Sequence, residues 1–198
     1  MLTRRSFLGA AGVIPLLPPR DILSFQPWQD RLISAARKQL GVTRIYDPAY
    51  KRLDYPLGDV PLIRGVCSDV VIRAYRAAFE LDLQKHVHED MKAHFSAYPA
   101  IWGLTRTDKN IDHRRVPNLE TYFKRSNSEI TSHGDIVSAG DLVSMRLGER
   151  LPHIAIVSSP TSILDKATII HNIGAGTREE PYTIEASHIR VFRFHPKT

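Results

Sequence analysis

The chain has 198 residues, 42% hydrophobic and 24% charged, a balance that suits one soluble globular domain with a real core. Its net charge of +6 comes from scattered Lys and Arg, with no zinc-finger spacing, aromatic-basic motif or heptad, so nucleic acid is not an expected partner. A single cysteine excludes an intrachain disulfide and leaves Cys67 as either apolar core filler or a thiol kept for its reactivity.

The chain opens with Thr3-Arg4-Arg5-Ser6-Phe7-Leu8 and a modest apolar run to Leu17. A basic start before a run too short for an ordinary spanning helix reads as an export signal over residues 1–20. Paired arginines followed by Phe-Leu resemble the twin-arginine class, which exports folded proteins. No small-x-small cleavage site precedes Pro18-Pro19, so this segment can stay as an anchor, the sole membrane contact expected. The location expected is periplasmic or otherwise exported, with residues 28–198 forming one monomeric domain.

Trp28 to Leu40 carries Leu32, Ile33, Ala36 and Leu40 at helical spacing, and Gly41 is a natural stop. Tyr46-Asp47-Pro48-Ala49-Tyr50 and Tyr55 to Pro61 form a turn-rich loop, which can bring substrate contacts such as Tyr46 to a site. The loop leads to Gly65-Val66-Cys67-Ser68-Asp69. There a glycine permits a sharp bend, Ser68 and Asp69 favour a helix start, and Val70, Val71, Ala74, Ala77 and Ala78 form one apolar face. Cys67 is thus expected at the positive end of a helix dipole, a setting that lowers a thiol pKa.

Leu83, Val87, Met91 and Phe95 mark a second helix, on which His86, Asp90 and His94 lie four apart. That spacing suits a metal, and a solvated polar face explains it as well. The polar cluster Asp112-His113-Arg114-Arg115 precedes a helix opened by Pro117 and carrying Leu119, Tyr122 and Phe123. Arginine grips carboxylates through paired hydrogen bonds, so the cluster reads as a substrate clamp or as an ion pair of Asp112 with an arginine.

From Gly140 the period changes. Strands are expected over Asp141–Leu147, His153–Val157, Ala167–Ile173 and Arg190–Phe194, with a turn over Gly148–Pro152. Helices first and antiparallel strands later point to an α+β fold. His153 starts one strand and His171 lies near the end of the next, so antiparallel pairing brings both rings to one spot. A thiol needs a base, and the base needs an orienting group.

This order of residues resembles the NlpC-type cell-wall peptidases, a papain-like group. Cys67-Ser68 is similar to their Cys-Ser step, Gly140-Asp141-Leu142-Val143 to their Gly-Asp-Leu-Val strand, and His153-Ile154-Ala155-Ile156-Val157 to their His-hydrophobic strand. Val66 and Asp69 depart from the usual acidic residue and glycine around the Cys-Ser step. The resemblance implies a Cys67 helix packed on a small antiparallel sheet, with His153 as base and His171 as third residue. A more specific resemblance is to the bacterial family catalogued as domain of unknown function 1287. It rests on Tyr46-Asp47-Pro48-Ala49-Tyr50, on Gly65 to Ala74, on His88-Glu89-Asp90-Met91 and on Ile111 to Asn118. His153-Ile154 and His171-Asn172-Ile173-Gly174 complete it.

The function expected is an exported thiol hydrolase cleaving an amide bond in a peptide or peptidoglycan-derived substrate. Cys67, His153 and His171 are catalytic; Tyr46, Asp112, His113, Arg114, Arg115 and Asn172 contact substrate; no cofactor or metal is required. The rivals are a binding module without turnover and a zinc hydrolase using His153 and His171.

Overall fold

A computed structural model of the chain describes residues 27–130, 137–159, 161 and 163–196. The export segment expected over residues 1–20 lies outside these described residues. Among the described residues, no helix is long and apolar enough to cross a membrane.

Among the described residues, four α-helices come first. They are α1 (Trp28–Arg37), α2 (Cys67–Phe79), α3 (Leu83–Ala93) and α4 (Val116–Arg125), with a two-stranded parallel pair, β1 (Ile45–Tyr46) and β2 (Arg64–Gly65), set between α1 and α2. Strands follow: β3 (Glu129–Ile130), β4 (Leu142–Leu147), β5 (Leu151–Val157), β6 (Thr168–Asn172), β7 (Thr177–Pro181) and β8 (Ala186–Phe192). They form one antiparallel sheet in the order β3-β8-β4-β5-β6-β7. The fold is α+β.

Alternation along the strands explains how the layers meet. Leu142, Ile154, Ile156, Ile170 and Phe192 point one way and pack on Val70, Val71, Ala74 and Tyr75 of α2, Leu32 and Ala36 of α1, and Leu119 and Phe123 of α4. Their neighbours Val143, Ala155, Val157, Ile169 and Val191 point the other way, under Val137, Leu164, Ala167 and Tyr182. At about 1.5–3 kcal/mol for each large apolar side chain fully buried, this double-faced sheet is the main source of stability.

The expected elements are present with shifted ends. Helix α1 stops at Arg37, and a turn carries the chain to Gly41, whose φ of +71° suits a stop. Strand β5 begins at Leu151, not His153, because Gly148 and Glu149 both take left-handed backbone and close a tight turn between Leu147 and Leu151. The last strand is Ala186–Phe192. Strands β1, β2, β3 and β7 had no counterpart in the sequence reading.

Candidate active site around Cys67

Cys67 is the first residue of α2, and its position is fixed from three sides. Tyr46 pairs with Gly65 in the β1–β2 ladder, which sets the loop beside the thiol. Behind it the buried Arg73 holds the loop in place: its guanidinium binds the Asp59 carboxylate and donates to Thr43 Oγ1 and to the carbonyls of Val60 and Arg64. From the sheet, Asn172 Nδ2 donates to the Gly65 carbonyl at 3.0 Å. Gly65 does not serve as a left-handed bend. It sits in a strand, and a Cβ there would come within 3.2–3.3 Å of Arg73 and Asp69, so crowding is what selects glycine.

The helix start is also organised differently from the expectation. Val66 is the N-cap, and Asp69, three residues on, accepts the Val66 N–H at 2.7 Å. Ser68 caps nothing; its hydroxyl donates to the Arg114 carbonyl. The thiol is 4% exposed, and burial pushes its pKa up to about 11, helped by the nearby Asp69 carboxylate. Backbone N–H groups of Ile154, Ser68 and Cys67 act in the opposite direction without winning. The lowered pKa expected from the helix dipole is thus reversed, because loss of solvation outweighs a half-charge at the helix end.

Ile154 belongs to β5, whose pairing with β6 is confined to Ile156–Ile170 and Val157–Ile169. Toward the His153 end the two strands no longer form ladder pairs, and the helix start meets the sheet there. The two histidines come together as their strand positions implied. His153 Nε2 and His171 Nδ1 lie 2.9 Å apart, with the rings edge to face. His171 Nε2 is in turn 3.0 Å from Glu180 Oε1 on β7. His153 and His171 are 2% and 1% exposed, whereas the Glu180 side chain is 38% exposed. Burial, with the neighbouring His171 adding to it, drops the His153 pKa to about 3. Burial also lowers that of His171 despite Glu180. No hydrogen bond joins Cys67 to His153 among the described residues, and burial favours the neutral form of both the thiol and the imidazole.

Above Cys67 lies an open cleft of about 440 Å³ lined by Tyr46, Tyr50, Trp102, Arg115, Leu151 and Pro152, among others. The Tyr46 hydroxyl is pushed up to about 12, by burial first and then by Cys67 and Asp69.

The Asp112–Arg115 cluster divides. Arg114 forms a two-pronged bond to Asp69, Nε to Oδ1 and Nη2 to Oδ2, both at 2.9 Å, and also donates to the carbonyls of Asp47 and Ala49. Its side chain is 2% exposed. Asp112 pairs with His88 at 3.2 Å and accepts the Asp108 N–H, so the ion pair with an arginine has different partners from those expected. His113 is buried, its pKa dropped to about 3 by desolvation and by Arg114. Arg114 and Arg115 both line the cleft, but the Arg114 guanidinium is tied to Asp69, whereas that of Arg115 stands 4.2 Å from the centre of the Trp102 ring. Asn172 is fully buried and engaged with Gly65 and Gly174, away from the cleft.

The helical His86-Asp90-His94 face has another use. Asp90 accepts from Arg125 and from the Tyr98 hydroxyl and pairs with His94. Among the described residues no group of three His, Cys, Asp or Glu side chains is arranged to hold a metal. Sequence reasoning missed Glu180 and Trp102. The first had one signal, the Gly174-Ala175-Gly176 turn, which folds β7 back along β6.

No solved structure matches the chain. The uncharacterized protein YijF of Escherichia coli (strain K12) is 46% identical over 185 residues, covering 92% of this chain and 90% of that protein. The model of the family described as Domain of unknown function (DUF1287) matches residues 33–194, and the chain belongs to that family.

Proposed function

We propose that the protein is an exported thiol hydrolase of papain-like, NlpC-type architecture that cleaves an amide bond, with peptidoglycan peptides as its substrate class. The observation that carries this reading is the placement of Cys67 at the wall of an open cleft, with the Ile154 N–H directed at its thiol and, next to Ile154 in β5, His153 in a buried pair with His171 at 2.9 Å. Because the thiol is held protonated, the proton leaves as the sulfur attacks. His153 Nδ1 takes it, the S–C bond forms, and the tetrahedral oxyanion is met by the Cys67 N–H. His153 then gives the proton to the departing amine as the C–N bond breaks. Water, deprotonated by His153, cleaves the thioester and restores the thiol. Arg115 and Tyr46, at the cleft wall, are the substrate contacts; Arg115 suits a peptide carboxylate.

A binding module without turnover is favoured by one observation, the absence of a Cys67–His153 hydrogen bond in a site where both groups are neutral. Incubating purified protein with peptidoglycan fragments and identifying the products separates the two. Hydrolysis that survives a chelator and is abolished by Cys67→Ala and by His153→Ala supports the enzyme. Tight binding of fragments with no product from the wild type sinks it, and activity lost to the chelator and restored by zinc reverses the chemistry to the metal reading.

A further inference from the structure

We propose that Glu180 is a positioning residue that selects the tautomers of His171 and His153 and so decides which nitrogen of His153 is offered to the thiol. The inference rests on the hydrolase reading for its purpose, and on geometry for its content.

A pair of neutral histidines joined by one hydrogen bond is degenerate. Either His153 Nε2–H donates to His171 Nδ1, or His171 Nδ1–H donates to His153 Nε2. The two arrangements have opposite chemical consequences. In the first, His153 Nδ1 carries a bare lone pair and can accept a proton. In the second, Nδ1 carries the hydrogen and the ring has no free acceptor. Nothing in the pair itself chooses, since both groups are imidazoles and both are buried.

Glu180 breaks the tie. Its carboxylate accepts only, so at 3.0 Å His171 Nε2 must carry the hydrogen. A neutral His171 with hydrogen on Nε2 has a bare Nδ1, which must accept from His153 Nε2–H. His153 Nδ1 is then left as the acceptor. One surface carboxylate thus sets two buried rings in sequence, and it does so from β7, across the sheet from the thiol. Register explains the reach: Arg178 lies opposite His171, and Glu180, two residues further along β7, shares that face. Arg178 and Glu180 are the charged groups that bear on His171; Tyr46, Asp69 and Arg114 lie around the thiol.

Nitrogen-15 NMR of histidine-labelled protein near pH 7 reads the tautomers without any substrate. The wild type is expected to show His153 and His171 each as a single species with hydrogen on Nε2. In Glu180→Ala those signals should move toward the average of the two tautomers, and alkylation of Cys67 by iodoacetamide should slow severalfold. Glu180→Gln, whose amide oxygen can still accept from His171, should restore both. Because Glu180 is more than a third exposed, the melting temperature should change little, so a packing defect cannot mimic this pattern. Hydrogen on His153 Nδ1 in the wild type overturns the inference, whatever the variants do, and so do unchanged tautomers in Glu180→Ala. Failure to hydrolyse peptidoglycan fragments, with the expected tautomers present, removes the hydrolase reading and leaves the Glu180 assignment standing. Hydrolysis by Glu180→Ala at the wild-type rate does the reverse.

Discussion

Two polar regions meet around Cys67, and they use their charges in opposite ways. On the helical side, the turn from Asp112 to Arg115 is dense in charge, and most of it is neutralised in place. Arg114 closes on Asp69, Asp112 on His88, and each partner is buried or nearly so. On the sheet side, His153 and His171 are buried without a cation or anion between them, and the nearest charge, Glu180, sits at the surface. Charge density in a sequence therefore marks where the fold is locked. Near-neutral groups with a free lone pair mark where chemistry is possible. The distinction lies in what each atom already bonds to, which residue type alone does not disclose.

The largest test of that contrast is Arg114→Ala. Removing one partner of a buried two-pronged pair strands the Asp69 carboxylate at the start of α2 and should cost about 3–5 kcal/mol, read as a lower urea midpoint. Arg114→Lys, which keeps the charge and loses the fork, should recover only part of it. A normal midpoint in Arg114→Ala, accompanied by altered substrate handling, would return Arg114 to the role of substrate clamp.

Acid comes next. In the folded protein His153 and His113 have pKa values near 3, against an ordinary value of 6.5, so between these limits the unfolded chain binds more protons. Stability should then be level above about pH 6.5 and fall as the pH drops toward 3, by an amount on the order of a few kcal/mol per histidine. Urea midpoints between pH 7.5 and 4.5 check this, and His113→Asn should flatten the slope if its burial is the cause. A midpoint that holds level down to pH 4.5 would mean that both rings can be solvated in the native state.

The smallest stability effect is expected at Arg115. Its stacking on Trp102 at the cleft wall is worth about 0.5–1 kcal/mol, so Arg115→Ala should melt almost normally. If the cleft takes a carboxylate, kcat/KM on peptidoglycan fragments should fall through KM. A changed kcat with constant KM would place Arg115 nearer the reacting atoms than the geometry does.

Much of this was legible from residue order. Apolar periodicity located α1, α2 and the strands β4, β5, β6 and β8, and the ends of adjacent strands brought His153 and His171 together. What stayed hidden has physical causes. Strand β7 is Thr-Arg-Glu-Glu-Pro at a sheet edge, where charge protects an exposed rim and no apolar alternation marks it. The β1–β2 pair is two residues long on each side and is held by Arg73, so its stability comes from tertiary contacts. Glu180 depends on the register of β7 against β6. The helix dipole suggested an acidic thiol because sequence shows the helix start and not the depth at which it is buried.

The hydrogen bond from Asn172 to the Gly65 carbonyl spans 107 positions of the chain. Helices α1 to α4 are all made before residue 126, whereas the histidines and Asn172 arrive with strands that pair over long sequence separations. Such pairings close late, because loop entropy is lost before contacts repay it. The start of α2 therefore spends the early part of folding without the Asn172 anchor on the Gly65 carbonyl. On the hydrolase proposal, the nucleophile and its base come from the two sides of that late pairing, so a half-made chain carries a cysteine without a partner.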